Sequence, residues 1–171
     1  WEYSAEAIQA RLHAGLTVDT FAGKAYLGVV GFRMNAVRPA GLPALPWLSS
    51  FNELNVRTYV HDASGEPGVW FFSLDCDRAP AVVIARTLFG LPYEHATMSF
   101  GPDLAQACRR RGEAETARYA WSEPSAPEVA APGTLAFHLA ERYNFFSMRG
   151  RQLVRGQVHH APYQLSPTKA S

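Results

Sequence analysis

The sequence predicts an α+β, mainly β fold: a single domain over residues 1–171, built on a sheet with a few short helices against it. Three observations predict this. Runs rich in β-branched and aromatic residues recur at Ala25–Val37, Phe51–His61 and Val69–Asp75, each bounded by turn-forming residues. Two stretches, Ala25–Phe32 and Val69–Leu74, are apolar on both faces, as in strands covered on both sides inside a barrel or a sandwich. Helical periodicity is confined to short stretches.

Taken in order, Ala5–Leu12 carries Ala7, Ile8 and Leu12 at helical spacing and is stopped by Gly15. Leu16–Phe21 and Ala25–Val37 read as two strands around the turn Ala22-Gly23-Lys24. In the second, Gly28 and Gly31 suggest a bend or a close backbone approach. Arg38–Ser50, with Pro39, Pro43 and Pro46, is a loop long enough to form a lid or rim. Phe51–His61 and Val69–Asp75 form a hairpin around residues 62–68. Asp77 is placed to cap a helix that holds Pro80 in its first turn and ends at Gly90.

Tyr93–Phe100 reads as a strand. Ala105–Trp121 suits either a helix or a hairpin, because Gly112 interrupts it. Ser122–Gly133, with three prolines, is a loop. Thr134 caps a short helix reaching Glu141. Strands near Tyr143–Met148 and Gln152–His159 flank the turn Arg149-Gly150-Arg151, and the tail from Gln164 reads as loose.

The chain has 171 residues, 47% hydrophobic and 18% charged, enough to bury a core without covalent staples. Its net charge of +1 offers no field for nucleic acid, and Arg109-Arg110-Arg111 reads as a solvated turn or strand edge. No segment approaches eighteen uninterrupted apolar residues, so no membrane partner is expected. Cys76 and Cys108 show no metal-type spacing and read as buried free thiols, which fits a reducing, cytoplasmic compartment. No signal peptide is visible, although the chain opens on Trp1.

Chemistry concentrates in the strand Phe51–His61. The period-2 rule puts Glu53, Asn55, Arg57 and Tyr59 on one face, at steps of about 7 Å, and Leu54, Val56, Thr58 and Val60 on the other. If the neighbouring strands are buried on both sides, that polar face is enclosed. An enclosed Arg and Glu must pair or meet a ligand. The planar fork of Arg57 suits a carboxylate, and Glu53 suits proton transfer. Asn55 and Tyr59 would orient the ligand, with Tyr93 and Tyr143 as wall residues.

Other chemistries find little support. Asp75 reads as a turn or cap residue. His159 and His160 are adjacent on a strand and point apart, His95 lies in a polar connector and His138 on a helix surface. No metal or cofactor is expected. There is no GxSxG and no phosphate loop. The lysines are Lys24, in a turn, and Lys169, in the tail, and neither position suits a Schiff base.

Several stretches resemble one known bacterial family. They are Gly15 to Gly23 (GLTVDTFAG), Glu53 to Val60 (ELNVRTYV), Gly68 to Asp75 (GVWFFSLD), Ala85-Arg86, Leu91-Pro92-Tyr93 and Glu141-Arg142-Tyr143. Together they resemble the YqjF-like family, a domain of unknown function, over Trp1 to about Leu165. The resemblance implies the acetoacetate decarboxylase-like fold, a closed, twisted antiparallel β-barrel with a central cavity and flanking helices. It implies a hairpin at Ala105–Trp121. Enzymes of that superfamily act on small keto acids, many through a lysine imine, and here this sequence departs from them. Family members run longer at both ends, so the chain is expected to be a fragment.

Three functions follow as expectations. The first is a decarboxylase- or lyase-like enzyme holding a small carboxylate on Arg57, with Glu53 moving a proton. The second is a binding module that holds such a ligand without turnover. The third is a barrel fixed by a buried Glu53–Arg57 pair with no ligand.

Overall fold

In a computed structural model of the chain, residues 1–35, 49–101, 105–122 and 126–169 are described. The elements are β1 (Glu2–Tyr3), α1 (Ala5–Gln9), β2 (Leu16–Val18), β3 (Ala25–Met34), β4 (Phe51–Asp62), β5 (Pro67–Cys76), α2 (Ala79–Phe89), β6 (Tyr93–Gly101), β7 (Ala105–Arg110), β8 (Ala117–Ala120), β9 (Glu128–Val129), α3 (Leu135–Ala140), β10 (Asn144–Arg149), β11 (Gln152–Gln157) and β12 (Gln164–Leu165). The fold is mainly β. The expected lid or rim centred on Pro39, Pro43 and Pro46 lies outside the described residues.

Ten strands form one curled sheet with the path β1-β3-β4-β5-β6-β7-β8, and β9 pairs with β12 separately. Among the described residues the curl is a half-barrel: β8 and β1 end the path without pairing to each other. Closure is therefore not seen, and the sheet is not purely antiparallel. β5 runs parallel to both β6 and β10. The hairpin at residues 105–120 forms, with Cys108 opposite Ala117.

β4 is the centre of the sheet. It pairs with β3 without a break, from Leu27↔Thr58 to Met34↔Phe51, so its alternation of faces is intact. On its other edge β5 slips: Ser73 opposes Val56 and Phe71 opposes Arg57, leaving Phe72 as an extra residue. The bulge falls where β5 forks. Val69 and Trp70 pair with β10, whereas Leu74, Asp75 and Cys76 pair with β6.

β2 and β3 do not form the expected hairpin. Both pair antiparallel with β4, end to end along one edge, with Leu16 opposite Asp62 and Leu27 opposite Thr58. The turn at Ala22 and Gly23 closes a local Phe21↔Lys24 bridge, after which the chain continues in its former direction.

The helices are set by local chemistry. Ser4 caps α1 by accepting from the Ala7 N–H at 3.1 Å, and Thr134 caps α3 by accepting from the Phe137 N–H at 3.2 Å. α2 starts with Pro80 in its first turn, but its N-cap is Arg78 without a side-chain bond. Asp77 turns back instead and accepts from the backbone N–H and the side-chain amide of Asn52. Gly90 ends α2 at φ 62°, where a Cβ would lie 1.9 Å from the Met148 carbonyl oxygen.

Three buried clusters form the core. Phe51, Leu74, Cys76, Val82 and Tyr93 join α2 to the sheet. Leu16, Val60 and Phe146 lie at the hairpin end. Leu54, Ala96 and Cys108 lie between β4 and the curled-over β6–β7 pair. Each fully buried Leu or Phe contributes about 1.5–3 kcal/mol. The tail is pinned rather than loose: β12 pairs with β9, and the Lys169 and Ser122 backbones and side chain bond to one another.

Candidate functional site

The alternation of β4 puts Glu53, Asn55, Arg57 and Tyr59 on one face, opposite Cys76, Leu74, Phe71 and Val69 of β5. Three of the side chains expected at the site meet there. Glu53 is 2% exposed, and its Oε2 accepts from the Tyr93 hydroxyl at 2.5 Å. Its Oε1 accepts from Asn55 Nδ2 at 3.1 Å. Tyr93 reaches it from β6, across β5, in the packing of Phe51, Leu74 and Val82. Burial raises the Glu53 carboxyl above its ordinary range, and the bonds from Tyr93 and Asn55 and the charge of Arg57 hold it down in part. Burial, then the Glu53 charge, raises the Tyr93 phenol well above its ordinary value, so it stays a donor.

Arg57 does not pair with Glu53. Its Nη2 donates to the Leu139 carbonyl of α3 at 3.0 Å, and its guanidinium lies 5.6 Å from the Tyr59 ring centre. Its Nε is buried without a partner, as is Asn55 Oδ1. The expected buried Glu53–Arg57 ion pair is thus absent. A second guanidinium, of Arg142, lies 5.7 Å from the Tyr59 ring centre and makes a 2.8 Å ion pair with Asp19.

His138 is not on a helix surface. Its ring packs among Phe21, Tyr26 and Tyr59, and Arg142 Nη2 lies 2.6 Å from its Nδ1. Burial, and then Arg142, lower its pKa, with Asp19 opposing them. The ring packs α3 against Tyr26 of β3 and Tyr59 of β4.

Tyr143 does not touch Glu53. Its hydroxyl donates to Glu141 Oε2, and its ring stacks on His160 with centres 4.6 Å apart. His160 in turn packs against Tyr163 at 4.2 Å, and the Tyr163 N–H donates to Glu141 Oε1 at 3.1 Å. One carboxylate therefore clasps the segment that carries Tyr163. Burial raises the Tyr163 phenol, the charge of Arg57 opposes this, and Glu141 and Glu53 add to it. The sequence reading missed Tyr163, His160 and Glu141 as one cluster, because nothing local in a short polar tail signals a bond to a carboxylate 22 residues earlier.

Other expectations are corrected. Asp75 is neither a turn nor a cap residue: its carboxylate is held by Arg110 through Nε at 2.7 Å and Nη2 at 3.1 Å. His95 sits in β6 opposite Cys76, with Nδ1 buried and unpartnered. Cys76 and Cys108 are buried free thiols, pushed by burial to about 12 and about 11. Among the described residues no three His, Cys, Asp or Glu side chains converge as metal ligands. No helix among them is long and apolar enough to cross a membrane. Lys24 is exposed and paired with Glu2, at the far end of β3.

Two clefts lie away from this face. One, of about 300 Å³, opens at the fork of β5 beside Trp70, Pro92 and Phe146. The other, of about 520 Å³, lies beside Arg86 and Arg149. Neither is lined by Glu53, Asn55, Arg57 or Tyr59.

The chain is similar to known proteins at two levels. Its fold matches a crystal structure of acetoacetate decarboxylase from Legionella pneumophila with a TM-score of 0.69, covering 100% of this chain and 68% of that one. At 14% identity, that likeness shows the fold alone. In sequence it is 35% identical over 174 residues to the uncharacterized protein YqjF of Bacillus subtilis (strain 168), covering 99% of this chain and 72% of that protein. The model of the DUF2071 family, described as an uncharacterized conserved protein, matches residues 1–171. The chain therefore belongs to the DUF2071 family, the YqjF-like family to which its strand motifs point.

Proposed function

We propose that this domain binds a small organic acid on the Arg57 face of β4. The single observation that carries the reading is the Arg57 guanidinium. It is packed under α3, one nitrogen meets only a backbone carbonyl, and its Nε is buried without an acceptor. Arg57 as a whole is half-buried, but an Nε–H shut away without an acceptor is costly, and a carboxylate is the acceptor the guanidinium fork fits. Asn55 and Tyr59 flank it on the same strand, Tyr93 lies behind Glu53, and Tyr143 and Tyr163 stand at the clasped segment. In this reading a completed barrel wall encloses the face, and the free thiols suit a cytoplasmic setting.

Turnover belongs to the same reading. Glu53 is raised by burial and so holds a proton at higher pH than an ordinary carboxyl. It is the group suited to give or take a proton in decarboxylase- or lyase-like chemistry without a Schiff-base lysine. The acetoacetate decarboxylase likeness supports this by analogy of fold. A second reading, binding without turnover, is favoured by the two committed hydrogen bonds that hold Glu53.

The test is calorimetric titration with a panel of C3 to C5 carboxylates, on the parent and on Arg57→Met. Binding that the variant loses at least about tenfold supports the reading. Absence of binding to every acid at millimolar concentration ends it. Product formation from any bound acid then separates the enzyme from the binding module.

A further inference from the structure

We infer that the acid bound on this face carries a hydroxyl on the carbon next to its carboxylate or one further along. The inference rests on the carboxylate reading above and names the ligand class. Asn55 is 1% exposed, and its side-chain nitrogen is committed to Glu53 Oε1. That bond fixes the amide's orientation, so the atom left buried without a partner is the oxygen, an acceptor. Two residues along the same face, the unpartnered atom is Arg57 Nε–H, a donor. The site thus presents one unmet acceptor and one unmet donor, on residues about 7 Å apart in backbone step along the strand.

A simple carboxylate answers only Arg57 and leaves Asn55 Oδ1 buried and unpaired. A keto acid is worse matched, because it points a second acceptor at that oxygen. A hydroxy acid supplies what each atom lacks: its carboxylate accepts from Arg57, and its hydroxyl donates to Asn55. The hydroxyl and carboxylate oxygens of a 2- or 3-hydroxy acid lie a few ångströms apart. With a hydrogen bond at each end, their reach is comparable to the backbone step between the two residues. A site with a buried polar atom waiting for a hydroxyl discriminates strongly against analogues that lack it.

The experiment is isothermal titration of the intact chain with butyrate, 2-oxobutyrate, 2-hydroxybutyrate and 3-hydroxybutyrate, repeated on Asn55→Leu. We expect at least one hydroxy acid to bind about tenfold or more tighter than both butyrate and 2-oxobutyrate, and Asn55→Leu to erase that margin. Equal affinities across the four acids, or a preference for the oxo acid, overturn the inference while the carboxylate reading stands. Binding of none overturns both, and leaves a buried water as what meets these two atoms. Should Asn55→Leu fail to fold, the parent's ranking of the four acids decides alone.

Discussion

The Tyr93 hydroxyl donates to the Glu53 carboxylate over 2.5 Å, and both side chains are buried. The two lie 40 residues apart in sequence, on strands separated by β5. A buried carboxylate survives only with donors, and Glu53 has two, from Tyr93 and Asn55. Its environment is therefore assembled by the β5–β6 crossover as much as by its own strand.

Removing the longer-range donor tests that dependence. Tyr93→Phe keeps the ring in the α2 cluster and deletes only the hydroxyl. A hydrogen bond to a charged group is worth about 1.5–3 kcal/mol, which for a domain of this size is roughly 3–12 °C in Tm. Calorimetry at pH 7 should show a fall in that range, and a smaller one at pH 4, where Glu53 is more often neutral. An unchanged Tm at pH 7 would show that Glu53 does not depend on this bond.

The pH dependence of Glu53 has a definite sign. Its folded-state carboxyl is raised from an ordinary 4.5, chiefly by burial. The folded chain thus holds this proton more tightly than the unfolded one, and the group's contribution to stability falls as pH rises above 4.5. Glu53→Gln removes the titration. The new amide oxygen still accepts from Tyr93, and its nitrogen can donate to Asn55 Oδ1 once the Asn55 amide rotates. Urea denaturation from pH 4.5 to 8 should give the variant a shallower decline, with stability at pH 7 at least equal to the parent's. Identical slopes in the two proteins would count against a raised Glu53.

What was legible in the sequence was whatever alternation and turn chemistry decide locally. Glu53, Asn55, Arg57 and Tyr59 share a face because β4 is regular against β3, and the period-2 rule needs nothing more. Gly28 and Gly31 were readable as close approaches: a Cβ at either would meet the Tyr59 hydroxyl or the Gln106 amide. Pairings between distant segments were not readable. Asp75 looked like a cap because caps are local, whereas its partner Arg110 comes from two strands further on. His138 looked exposed because its helix is only Leu135–Ala140, too short for a periodic stripe to show which face packs. Whether Arg57 and Glu53 pair or each meets something else was left open by the sequence, and it is decided by α3, whose Leu139 carbonyl takes the guanidinium.

Gly31 offers a reversal of the usual rule. In a strand interior, Gly is ordinarily about 0.5–1 kcal/mol worse than Ala. Here a Cβ would lie 1.7 Å from Gln106 Oε1 and 2.8 Å from its Cδ. Gln106 is 1% exposed and donates to the Glu53 carbonyl, so it has little room to retreat. Gly31→Ala should destabilise by about 1–3 kcal/mol. Adding Gln106→Ala removes both the clash and an unpartnered buried amide oxygen. The double variant should therefore be more stable than Gly31→Ala alone. Additive losses in a double-mutant cycle would show that the two residues do not collide.

Glu141 tests the clasp that holds Tyr163. Its two oxygens take the Tyr143 hydroxyl and the Tyr163 backbone N–H. Glu141→Ala frees both donors at once, and the His160 ring between the two tyrosines then loses its fixed neighbours. Tyr163 is 47% exposed, so water can satisfy what is freed, and global stability should fall by no more than about 1 kcal/mol. The local effect should be larger. The Tyr163 amide should exchange with solvent at least several-fold faster in the variant, while amides of β4 keep their parent rates. A sheet-wide rise in exchange would instead make Glu141 a determinant of the whole fold. Unchanged exchange at Tyr163 would mean that the segment is held by β12 and its pairing with β9, and that the carboxylate only decorates it.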